Sequence, residues 1–93
     1  MVTETTKIGR HEIWFEEPDL VCFRAVGDLS ARELDESFRL LLAHGEGRGP
    51  QCWLIEMADA GTMNGETRRR AAEWTPRFRI GAVAMIHPST DPE

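Results

Sequence analysis

The residues with the most chemical promise lie together in MADAGTMNGETRRRAAEW, residues 57 to 74. This stretch leads from a strand end through a glycine-bearing loop into a charged helix, the place where many α/β domains keep their chemistry. Gly61 and Gly65 suit a phosphate cradle, but no Lys-Ser or Lys-Thr follows at the Walker spacing and no GxGxxG is present, which argues against a nucleotide. Asn64 is suited to a simpler task, offering its side-chain oxygen to the free amides of a helix start.

Arg68, Arg69 and Arg70, joined by Arg77 and Arg79, form a basic cluster in an acidic chain. Three consecutive helical residues point in different directions, so not all can line one site. They can form a solvated face paired with Glu66 and Glu73, or a docking surface for an acidic partner or phosphate, whose oxygens match the arginine fork. Of the three tryptophans, Trp14, Trp53 and Trp74, the last shares a short helix with this cluster and can serve as a partner anchor as well as core.

Other chemistry lacks a pattern. His11, His44 and His87 fall in separate elements without HxH or HExxH spacing, so no metal ligand set is expected. No Ser or Cys stands in a nucleophile elbow, and Glu16, Glu17 and Asp19 read as a hydrated turn rather than a catalytic pair. Cys22 and Cys52 sit in apolar runs, the usual setting of a small buried hydrophobe. The expectation is a protein with no catalytic residues and no cofactor.

The elements that must position the 57–74 stretch are readable from local patterns. HEIWF and LVCFRAV are strands separated by the acidic turn EEPD and suggest a hairpin. In the second, Val21, Phe23 and Ala25 form the expected core face, because the alternate set contains Arg24. Ser30 with Glu33 fits a capping box, Leu34, Phe38, Leu41 and Leu42 form an apolar stripe, and Gly45 is placed to end the helix in the left-handed conformation. QCWLIEM reads as an inner strand. Asn64 opens a second helix that Pro76 stops, and IGAVAMIH is a fourth strand. The order is β-β-α-β-α-β: an α/β fold with a mixed sheet, helices packed on it and a hairpin at one end. One domain is expected over residues 11–87, between polar termini at 1–10 and 88–93.

Ninety-three residues with 41% apolar and 29% charged content allow one modest core and indicate neither disorder nor a fibrous class. A net charge of −5 argues against general nucleic-acid binding, which needs a basic face. The start lacks the apolar run of a secretion signal, and no segment approaches the roughly 20 apolar residues of a membrane span. A cytoplasmic protein is the expectation.

With its element order and the segments DLVCFRAVGDLSARELDESFRLLL, CWLIEMADAGTMNGETRRRAAEW and IGAVAMIH, the chain resembles the STAS family of anti-anti-sigma-factor-like domains. It looks closest to small bacterial stand-alone members grouped with lipid-binding SEC14-type domains. The resemblance covers roughly residues 11 to 87 and rests on order and short patterns. In that family the second strand ends in a glycine, matched by Gly27, and the third ends in an acidic-apolar pair, similar to Glu56-Met57. Anchoring on Met63 puts Asn64 at the family's aspartate and Gly65 or Glu66 where the phosphorylatable serine would stand. Neither can receive phosphate, whose charge is what makes such a helix start a switch.

The resemblance implies a non-catalytic regulatory domain, similar to anti-sigma factor antagonists. It would bind a protein partner, an anti-sigma-factor-like kinase or another regulator, through Met63, Asn64, Gly65, Glu66, Arg69, Arg70 and Trp74. The SEC14 grouping implies the alternative of a small hydrophobic ligand in a groove between helices and sheet, and an inactive shortened relative is a further reading. STAS-like domains also continue past the fourth strand with a helix, a strand and a final helix. Their lack here leaves the IGAVAMIH edge uncovered, so a homodimer through that edge is expected.

Overall fold

The computed structural model describes residues 4–86. Five strands and two helices follow in the order β1 (Thr6–Ile8), β2 (His11–Glu16), β3 (Leu20–Leu29), α1 (Ala31–Gly45), β4 (Gln51–Met63), α2 (Gly65–Trp74), a 3-10 turn (Thr75–Arg77) and β5 (Ile80–Ile86). The strands form one sheet in sequential order, β1-β2-β3-β4-β5. The β1–β2 and β2–β3 pairs are antiparallel, whereas β3–β4 and β4–β5 are parallel. The sheet is therefore mixed, with hairpins at one end and helical crossovers at the other. Crossovers that advance in one direction along a sheet place their helices on the same face, and α1 and α2 pack against each other there.

Strand pairing arranges the apolar residues in rows across this face. One row is Phe15–Val21–Trp53–Val83 and the next is Ile13–Phe23–Ile55–Met85. Side chains alternate along a strand, so Val21, Phe23 and Ala25 face the helices as the alternation predicts. Ile8, Ile13, Val21, Leu41 and Trp53 form the buried core. Phe38 of α1 joins Trp53, Trp74 and Phe78 in an aromatic group with centroids 5.1 to 6.4 Å apart. The opposite face carries a charged row, in which Arg24 Nε donates to Glu56 at 2.5 Å and Arg24 also pairs with Glu12 at 3.4 Å. Cys22, on that face, is buried all the same, and both cysteines are free.

Several expectations need correction. Residues 1–10 are not all leader, since β1 lies within them; a three-residue strand is too short to show a period. The segment from Ala58 to Met63, expected as a loop, belongs to β4, which runs for 13 residues. It stays paired with β3 by means of register shifts beside Ala25 and Asp28, so β3 runs past Gly27 to Leu29 and β4 does not end at Glu56-Met57. Gly45 lies inside α1; the left-handed residue is Gly47, at φ 80°, one position after the extended cap residue Glu46. Leu42 faces outward and is 39% exposed, while Leu34 and Leu41 are buried with Ser37.

The N-terminal caps are as the sequence indicates. Ser30 and Glu33 form a reciprocal capping box, with both bonds at 3.1 Å. Pro76 converts the end of α2 into the 3-10 turn. Among the described residues no helix is long and apolar enough to cross a membrane. His87 and the tail expected at 88–93 lie outside the described residues.

Candidate functional site

The long β4 strand carries the chain to Met63 at the start of α2. Gly61 permits this course because β3 passes close by: a Cβ there would meet the Asp28 carboxylate and stand 2.8 Å from the Asp28 nitrogen and the Gly27 carbonyl carbon. Asp28 fixes the strand end by accepting from the Thr62 N–H at 2.8 Å and its hydroxyl at 3.2 Å. Those two bonds, the backbone one foremost, outweigh the slight desolvation of this exposed side chain and hold the Asp28 carboxyl below its usual range.

Beyond it Asn64 caps α2. Its Oδ1 accepts from the Thr67 N–H and from the Thr67 hydroxyl, each at 2.9 Å, and Thr67 is fully buried. Asn64, Gly65 and Glu66 remain exposed. Met63, half-buried, turns into an apolar cavity of about 440 Å³ between the sheet and the two helices. Phe23, Leu34, Phe38, Ile55 and Met57 contribute to its walls, and Arg68 stands at its edge.

The structure divides the remaining predicted site residues. Arg69 is exposed on α2. Arg70 and Trp74, expected on the partner surface, instead tie α2 to α1: Arg70 donates to one Asp35 carboxylate oxygen and Trp74 Nε1 donates to the other at 2.9 Å. Arg70 also pairs with Glu66 at 3.9 Å. The indole bond, together with Arg70, overcomes partial burial and holds the Asp35 carboxyl below its usual range. Trp74 is thus a structural residue whose polar end is satisfied, as a half-buried indole requires.

Two further polar groups escaped the sequence reading. Asp35 sits on α1 within an amphipathic pattern that explains it as surface. His11, 1% exposed, joins β2 to the β3–α1 junction. Its Nδ1 accepts from the Val26 N–H at 3.0 Å, which leaves the ring proton on Nε2, 3.2 Å from both the Asp28 carbonyl and the Glu33 carboxylate. Glu33 feels burial most, which raises its carboxyl; the Ser30 and His11 bonds more than offset this and hold it low. The Ser30–Glu33 capping box signals one end of this network in the sequence; for the His11 end the signal is a histidine opening a strand of large apolar residues. Among the described residues no three His, Cys, Asp or Glu side chains are grouped to hold a metal.

Set against solved structures, the chain superposes over 96% of its length on an uncharacterised DUF3478-family protein with a SpoIIAA-like fold from Shewanella loihica PV-4. The TM-score is 0.69, with 17% identity and 71% of that chain covered. The fold is SpoIIAA-like. Two structures of Mglu also match, at TM-scores of 0.57 and 0.53 with 20% and 18% identity, over 87% and 83% of this chain. The chain spans only 19% and 23% of those proteins. No family profile and no curated protein matches the sequence. At these identities the SpoIIAA-like fold is what is shared. In it, the α2 start carries Asn64, Gly65 and Glu66 and no exposed serine.

Proposed function

We propose that this SpoIIAA-like chain is a non-catalytic regulatory domain of the cytoplasm that binds a protein partner at the start of α2. The observation that supports this most is the juxtaposition of an exposed helix start, Asn64 to Glu66, with the apolar cavity into which Met63 turns. An apolar pocket beside a charged rim is the arrangement in which one inserted side chain supplies most of the binding energy. Glu66 and Arg69 add charge complementarity, which governs orientation and encounter. The partner is an anti-sigma-factor-like kinase or another regulator, and the surface is constant rather than switched. Thr67, the nearest hydroxyl on α2, is fully buried and bound to Asn64, which supports this reading. A pull-down with wild type, Glu66→Ala and Arg69→Glu tests it. Loss of the captured chain with Arg69→Glu is expected, and capture unchanged by both variants overturns it.

The cavity itself favours a second reading, a small hydrophobic ligand such as a lipid. Its volume falls within the range of ligand pockets, and apolar side chains dominate its walls. A lipid-sized mass retained in native mass spectrometry supports that reading, and a bare 10.5 kDa chain counts against it.

A further inference from the structure

The basic cluster of the sequence does not survive folding as one patch; a different one is assembled. Arg77 and Arg79, which frame the entry to β5, come together with Arg39 of α1 and Arg48 of the α1–β4 connection around a cleft of about 760 Å³. The cleft lies at the N-terminal ends of β4 and β5, away from the α2 start. Three separate segments thus supply its four cations, in a chain of net charge −5. Arg48 is partly committed, donating to the His44 carbonyl at 2.9 Å and pairing with Glu17 at 3.6 Å. Arg39, Arg77 and Arg79 are exposed and form no ion pair among the described residues, although Asp35 lies near enough to Arg39 to feel its charge. The Arg77 guanidinium lies 4.8 Å from the Trp74 ring centroid, which orients it without neutralising it.

The floor is apolar: Phe78, Trp53 and the outward-facing Leu42. Glu46 is the acidic residue on the lining. Gln51, only 8% exposed, is part of the same wall; its amide donates to the Gly49 carbonyl at 3.2 Å, while its Oε1 has no hydrogen-bond partner among the described residues. Buried amide oxygens without partners are uncommon because each costs desolvation. A wall with excess positive charge above an aromatic floor suits an anion attached to an apolar body; the Gln51 oxygen, itself an acceptor, suits a donor and takes no part in holding the anion.

We propose that this cleft binds a small organic phosphate, with Arg39, Arg77 and Arg79 holding the phosphate oxygens and Phe78 and Leu42 supporting the organic part. Arginine forks bind such oxygens through paired charge-assisted hydrogen bonds. The site is independent of the partner surface at α2.

Calorimetric titration with phenyl phosphate and with inorganic phosphate at low salt tests the proposal. Wild type is expected to bind phenyl phosphate with Kd of about 1 mM or tighter, and more tightly than inorganic phosphate. Arg39→Gln/Arg79→Gln should weaken phenyl phosphate at least tenfold, whereas Arg68→Gln/Arg69→Gln, with the same loss of charge outside the cleft, should leave it unchanged. Equal weakening by both double variants means general charge attraction and overturns the site, as does absence of wild-type binding. Equal affinity for the two probes overturns the role of the floor. Should the first double variant unfold, Arg79→Gln alone, whose side chain has no ion pair among the described residues, carries the same comparison.

Discussion

Asp35 of α1 joins two residues of α2 through its two carboxylate oxygens: Trp74 Nε1 donates to one at 2.9 Å and Arg70 donates to the other. Each end of this arrangement is sequence-distant from the other, and together they fix the angle at which α2 crosses α1. Because the bonded carboxylate is favoured, the Asp35 pKa is lowered in the folded chain. Its contribution to stability is then complete above the unfolded carboxylate value of about 3.9 and is lost as pH falls through the lower folded value. Asp35→Asn, which keeps an acceptor for the indole but removes the charge, should unfold at lower temperature at pH 7. The gap from wild type should narrow as pH falls below about 4. Thermal melts across that range, followed by tryptophan fluorescence, check both points.

His11→Ala should be among the most damaging single changes. It empties a fully enclosed site and leaves the Val26 N–H, which donates to Nδ1, without a partner. By the usual costs of a cavity and an orphaned donor, the loss should be about 2–4 kcal/mol. Urea denaturation with the slope held common to both proteins measures it. A change below half a unit of midpoint would refute the network's structural weight.

Gly61→Ala tests the close approach of β3 and β4. The added carbon meets the Asp28 carboxylate and the backbone beside it, so the paired strands must separate locally. A destabilisation of about 1–3 kcal/mol is expected, accompanied by faster exchange of the Thr62 amide. Gly65→Ala, where a Cβ meets nothing within 4 Å, is the matched control and should not share the effect.

β5 should mediate self-association. Its edge is unpaired among the described strands, Ile80 to Ile86 contain no charge or proline, and Val83, Met85 and Ile86 are 46–51% exposed. The other edge, β1, is three residues long and carries Lys7, the kind of protection that keeps edges apart. Antiparallel pairing of two β5 strands would continue both apolar rows into a second copy. Sedimentation should show a dimer that forms with rising concentration and is abolished by Met85→Lys; a wild-type monomer throughout would remove the idea.

The legible parts of the fold were those set by neighbours in sequence. Ser30 with Glu33 and Asn64 with Thr67 are caps whose partners lie three residues away, and Val21, Phe23 and Ala25 alternate within one strand. The extension of β4 through Ala58–Met63 depends on β3 accommodating it by register shifts, and Gly61 together with Asp59 disguises it as a turn. Around the start of α2, the position of Asn64 as the cap and the exposure of Gly65, Glu66 and Arg69 followed from the local helix pattern. The commitment of Arg70 and Trp74 to Asp35 did not, because it spans 35 and 39 positions.

α2 completely buries only Thr67, yet its far end is anchored by Asp35 and by the Phe38, Trp53 and Phe78 rings. Helices with so little burial open at a fraction of the global unfolding free energy. The amides of α2 are therefore expected to exchange with solvent faster than those of the central strands β3 and β4.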